Sequence, residues 1–208
     1  MNTDEAFAAS DVSSAAAQAR KAQPRGRRSA RKLLDAAAAL FLEKGVDKTT
    51  VDDVVLRAGI AKGTFYYHYE SRAALFNALH ERVIGDFEAR IEAAMAACPP
   101  GDPWRQLDTW VETTCESYLE MGPLHDIVFS ADSPRWSVSN RKFVQILIAL
   151  LGEGHARGVW RVDDPCLTAT FIFCGLHGAI DDLILAGRHP TIVARSVIAF
   201  TRKAVALD

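Results

Sequence analysis

Between Lys62 and His68 the chain reads Lys-Gly-Thr-Phe-Tyr-Tyr-His. Lys62 supplies a positive charge, Thr64 a hydroxyl and a methyl, Tyr66 and Tyr67 a phenol each, and His68 an imidazole. Such a set makes hydrogen bonds, aromatic contacts and ionic contacts with phosphate, which suits a DNA groove and suits a protein core poorly. Thr64 and Tyr67 are the candidates for base edges. Lys62, Tyr66 and His68 are the candidates for positioning on the sugar-phosphate backbone. Phe65 and Tyr69 fall toward the opposite side of the same segment and read as core.

These side chains need a short helix on a fixed base, and the flanking residues provide one. Thr50 can cap a helix start, with Asp53 three residues on. Val51, Val54, Val55 and Ala58 follow at helical spacing, and Gly59 stops that helix because glycine tolerates the left-handed turn. Ile60 and Ala61 form the link, a second helix runs from about Lys62 to Tyr69, and Ser71 can cap a third. Two short helices around a glycine-containing turn make a helix-turn-helix. An earlier helix from about Ser29 to Lys44, apolar at Leu33, Ala37, Leu40 and Phe41, completes a three-helix unit. The net charge of -2 argues by itself against nucleic acid. Its distribution does not: residues 20–72 hold 12 Lys and Arg against 6 Asp and Glu, a local +6, whereas residues 73–208 hold 12 against 17, a local -5, and residues 1–19 add -3. The positive surface belongs to the segment that would meet phosphates.

With 208 residues, 49% hydrophobic and 24% charged, and no extended strand-like alternation, the chain is expected to be all-α. Residues 1–26 read as a disordered, basic-ended arm, residues 27–72 as the DNA-binding domain, and residues 73–208 as a second helical domain. A long helix starts near Ser71 and breaks at the prolines of 98–103. Further helices follow over about 103–121, 135–157, 164–187 and 190–205, with a short segment after Gly122-Pro123. Aromatic and polar side chains in this half, namely Trp110, Thr114, Tyr118, His125, Phe129, Phe143 and His177, are the candidates for a pocket taking a small apolar or aromatic ligand. His125-Asp126, His155, and His177 with Asp181 one turn on raise the question of a metal. Two ligands on one helix do not complete a site, so no metal is expected, and no cofactor. The cysteines Cys98, Cys115, Cys166 and Cys174 contain no CxxC pair. No apolar leader or membrane-length stretch occurs, so the expected location is the cytoplasm. No Ser/His/Asp, Cys/His or paired-carboxylate spacing points to an enzyme.

The segment from Cys166 to Gly187 is apolar almost all round and is therefore expected to be buried. With the last helix it is read as half of a four-helix dimer interface, at Phe171, Gly175, Gly178, Ala179, Asp182, Val197 and Thr201.

The stretch LLDAAAALFLEKG followed by TTVDDVVLRAGIAKGTFYYHYESRAALFNAL, residues 33–79, resembles the tetracycline-repressor (TetR) family of bacterial transcriptional regulators. Gly45, Thr49, Thr50, Val51, Ala58, Gly59, Gly63, Tyr66, Tyr69 and Leu75 fall where that family places framework residues. The resemblance implies an Ω-shaped all-helical homodimer that occupies a palindromic operator and is released by a small molecule held in the C-terminal domain. It also implies that Thr50 and Arg72, at helix starts, meet phosphates alongside Lys62, Thr64, Tyr66, Tyr67 and His68. Ala61 stands where a capping Ser is common, which weakens that cap.

Overall fold

The computed structural model describes residues 24–128, 138–186 and 190–206, and every regular element among them is helical. The chain divides into two compact units, Met1–Glu81 and Arg82–Asp208.

The first unit contains α1 (Pro24–Lys44), α2 (Val51–Ala58), α3 (Lys62–His68) and the start of α4 (Arg72–Ala97). Helix α1 begins earlier than the apolar pattern suggests, taking in residues 24–28 of the basic run, because proline is tolerated at a first helical position. The rest of the expected arm lies outside the described residues. Thr50 caps α2 in a full capping box: its hydroxyl oxygen accepts from the Asp53 N–H at 3.2 Å, and the Asp53 carboxylate accepts the Thr50 N–H at 2.8 Å. Gly59 ends α2 in the left-handed region at φ 63°. Ala61 opens α3 with no side-chain cap, and the Ser71 hydroxyl accepts from Ala74 N–H at 3.1 Å in the first turn of α4. Leu33, Ala37, Leu40 and Phe41 of α1, Val54 of α2, Phe65 of α3, and Leu75 and Leu79 of α4 are all buried. Each such Leu or Phe contributes roughly 1.5–3 kcal/mol of burial free energy.

The second unit holds the remainder of α4, then α5 (Pro103–Met121), α6 (Pro123–Val128), a 3-10 turn at Val138–Asn140, α7 (Lys142–Ala156), α8 (Pro165–Leu185) and α9 (Pro190–Val205). Helix α7 starts later than the expected residue 135, after the 3-10 turn. Its core gathers Leu107, Trp110, Val111, Phe143, Leu147, Leu151, Trp160, Phe173, Leu176 and Ile180. Trp110 Nε1–H donates to the Phe143 carbonyl at 2.9 Å and Trp160 Nε1–H to the Leu151 carbonyl at 2.8 Å, so both indoles enter the core with their polar atom satisfied.

Helix α8 departs from the expectation of all-round burial. Ala169, Ile172, Phe173, Leu176 and Ile180 face the core, but Leu167, Phe171, Cys174, Gly175 and Gly178 are exposed. The period of 3.6 still selects one inner stripe even where both faces are apolar, because the unit offers neighbours on one side only.

Candidate functional site

Helix α3 is fixed from behind by Phe65, which is fully buried and meets the Tyr66 ring edge-on at 5.3 Å and the Tyr69 ring at 6.0 Å. Anchoring one side of a two-turn helix leaves the other side outward. Tyr66 is 51% exposed and Tyr67 53%, unusual for large rings without a partner surface. Tyr67 stacks edge-to-face on His68 at 5.1 Å, which limits the swing of its phenol. Thr64 and His68 are half-buried beside them. Lys62 is exposed and pairs with Asp52 of α2 at 2.7 Å. Exposed pairs of this kind are weak and exchange readily for a phosphate.

Thr50 and Arg72, the two positions set at helix starts, are engaged differently from the others. The Thr50 hydroxyl donates to the Asp53 carboxylate at 2.6 Å, and Lys44 pairs with the same carboxylate at 2.6 Å. Lys44 and then the Thr50 groups hold the Asp53 carboxyl far below the usual carboxylate range. Arg72 Nη1 donates to the carbonyls of Val46, Asp47 and Thr49 at 2.8, 2.7 and 3.2 Å. The Arg72 guanidinium therefore closes the loop between α1 and α2 from inside the unit. All three bonds run from Nη1, and the side chain is still 40% exposed, so this staple is compatible with the expected phosphate contact.

In the second unit the structure brings together most of the residues proposed for a pocket. The Tyr118 ring lies 3.9 Å from that of His125 and 4.9 Å from that of His177, and the two imidazoles are 5.1 Å apart. His177 continues to Phe173 at 4.2 Å, Phe173 to Phe143 at 4.9 Å, and Phe143 to Phe87 of α4 at 4.9 Å. Trp110 is fully buried one turn away from Thr114 on α5. Phe129 lies outside the described residues. The Thr114 and Ser117 hydroxyls are buried with no hydrogen-bond partner among the described residues, so this part of α5 presents polar atoms to an otherwise apolar interior. Burial pushes the His177 imidazole down to about 4, with His125 adding to the effect, and burial lowers His125 as well. Both rings are neutral near pH 7. Burial, then the Asp181 contact, raises the Tyr118 phenol. Asp181, which accepts from the Tyr118 hydroxyl, was not among the expected pocket residues. Its spacing from His177 was visible in the sequence, but its meeting with α5 was not.

The outer stripe of α8 and α9 is also distinct. Phe171 and Phe200 are each 71% exposed, with Leu167 and Ile192 exposed near them in sequence. Gly175, Gly178 and Asp182 share the α8 stripe, and Ala179 is half-buried at its edge. Of the positions expected on this surface, Thr201 is buried, and Val197 is half-buried against the core. On α9 the exposed residues are Ile192, Arg195, Ser196, Ala199, Phe200, Arg202, Lys203 and Ala204.

Residues 33–79 match the family described as bacterial regulatory proteins, tetR family. The uncharacterized HTH-type transcriptional regulator YvdT of Bacillus subtilis (strain 168) is 35% identical over 83 residues, 40% of this chain and 42% of YvdT. The chain thus spans less than half the length of that relative. The HTH-type transcriptional repressor DhaR of Mycobacterium sp. (strain GP1) is 26% identical over 162 residues, 71% of this chain and 78% of DhaR. The crystal structure of the transcriptional regulator FadR from Bacillus subtilis in complex with stearoyl-CoA superposes with a TM-score of 0.69 at 17% identity, covering 82% of this chain and 96% of FadR. At that identity the likeness is one of fold. The named relatives are transcriptional regulators.

Proposed function

We infer that this chain, which belongs to the tetR family through the DNA-binding domain at residues 33–79, is a ligand-responsive repressor that binds a palindromic operator as a homodimer. The observation that carries the reading is α3: its inner side is pinned by buried Phe65, and its outer side offers Tyr66 and Tyr67 beside Lys62, Thr64 and His68. Thr64 and Tyr67 read base edges in the major groove. Lys62, Tyr66 and His68 position the helix on phosphates. Thr50 contributes through the cap it makes and not through a free hydroxyl. Two copies reading two half-sites need a two-fold axis. The outward stripe of α8 and α9, centred on Phe171 and Phe200, supplies an apolar surface for it. The ring cluster of Tyr118, His125, Phe143, Phe173 and His177, with Trp110 and Thr114, takes a small apolar or aromatic effector that releases the DNA. FadR, which shares the fold, is recorded with a long-chain acyl thioester. No helix among the described residues is long and apolar enough to cross a membrane, and a repressor of this kind works in the cytoplasm, where its DNA is.

Protection of genomic DNA by the purified protein tests the reading, and a short palindrome is expected. Tyr67→Ala should reduce discrimination between that site and a scrambled one by about 1–3 kcal/mol, roughly ten- to a hundredfold. Lys62→Ala should weaken both equally and lower the salt slope by about one. Absence of any preference at moderate salt would overturn the function. Equal loss of discrimination in both variants would overturn the division of roles.

A further inference from the structure

We propose that His125, Asp126 and Asp181 form a binding site for a divalent transition-metal ion of the zinc type. The end of α5, helix α6 and the second half of α8 bring these groups together although the sequence separates them widely. One ligand atom from each of the three lies within 4.8 Å of the other two. His125 Nδ1 and Asp126 Oδ1 are already 3.3 Å apart. Donors about 2.1 Å from one tetrahedral ion stand roughly that far from each other. Asp181 completes the group from α8. Both carboxylates are exposed while His125 is buried, so an ion enters from the solvent side and meets an imidazole held in place by the Tyr118 ring.

The chemistry of the donors decides the class of ion. One imidazole nitrogen with two carboxylates suits zinc and its neighbours, whereas magnesium and calcium favour all-oxygen shells. Three protein ligands leave a coordination position for water. The Tyr118 hydroxyl, which donates to Asp181, supplies the outer hydrogen bond that orients a ligating carboxylate. The partners recorded for the two carboxylates are that phenol and His125. Among the described residues neither carboxylate forms an ion pair with a lysine or arginine, which favours a dication there. Bound there, the ion ties α6 to α8 at the polar end of the ring cluster. The site does not depend on that cluster accepting an organic effector.

Calorimetric titration of the tag-free, chelator-treated full chain with Zn2+, Co2+ and Mg2+ tests the site. One Zn2+ per chain at micromolar affinity is expected, Co2+ should give visible ligand-field absorption, and Mg2+ should give no heat. Asp126→Asn and Asp181→Asn should each weaken Zn2+ binding by on the order of tenfold or more. Asp163→Asn, at an exposed carboxylate outside the group, should leave it unchanged. Asp126 is exposed, so its variant keeps the fold, and an unchanged metal-free melting curve checks this. Zn2+ binding no tighter than millimolar, or equal affinity in wild type and both ligand variants, overturns the proposal. The readout involves neither DNA nor an organic ligand, so its failure and that of the repressor reading are separate results.

Discussion

Arg72 shows that one side chain can carry a structural contact at a position expected to meet phosphate. A guanidinium at a helix start in a positively charged unit invites a phosphate, yet three loop carbonyls already accept from its Nη1. Its planar, always-charged donor group suits that convergence better than an ammonium would. Arg72→Ala is therefore expected to lower the stability of the first unit by about 1–3 kcal/mol, read as an earlier unfolding midpoint in urea. Arg72→Lys should recover part of it. Operator affinity, measured well below that midpoint, should change less than in Lys62→Ala. A residue that clamped phosphate would show the reverse order. Thr50 belongs to the same class, since its hydroxyl both donates to and accepts from Asp53 groups.

Among the elements, α7 carries the tightest constraint. Gly154 lies against Trp160, and a Cβ at that position would fall 2.1 Å from the indole Cε2. The indole cannot swing aside, because it is buried and its Nε1–H is held by Leu151. Gly154→Ala should cost about 1–3 kcal/mol through overpacking, detected as a lower melting temperature with the helix content of the folded state unchanged. This need was not legible in the sequence, where Gly154 stands inside an apolar helical pattern with nothing to name its neighbour. The helices themselves were legible wherever local chemistry governs them. The Thr50 box, the left-handed Gly59 and the apolar spacing of α1 are interactions between residues near in sequence. What escaped depended on neighbours distant in sequence: the burial of Thr201, the loop contacts of Arg72, and the meeting of Asp181 with Tyr118. Of the two residues expected in the core here, Phe65 is buried and Tyr69, just past the end of α3, is half-buried.

For the molecule as a whole, the outward stripe of α8 and α9 is the feature with the largest consequence. Phe171 and Phe200 leave apolar rings in water, a cost that burial against a second copy removes twice in a two-fold assembly. Phe171→Glu should raise the dimer dissociation constant roughly a hundredfold or more, from about 3 kcal/mol of lost burial across both copies. Sedimentation should then show monomers of unchanged helicity, and operator binding should weaken in step. A variant that remains dimeric would place the interface elsewhere.

The placement of the indoles has a consequence for optical work. All four tryptophans, Trp104, Trp110, Trp136 and Trp160, fall within the second unit, while the first contains tyrosines but no tryptophan. Trp110 and Trp160 sit in the dry interior, and Trp104 meets Trp160 edge-on at 5.1 Å. Light absorbed by tryptophan alone is therefore emitted from one unit, and the share from Trp110 and Trp160 is blue-shifted by that interior. The emission of the native chain is a built-in lamp for the C-terminal unit, dark to events confined to the N-terminal one.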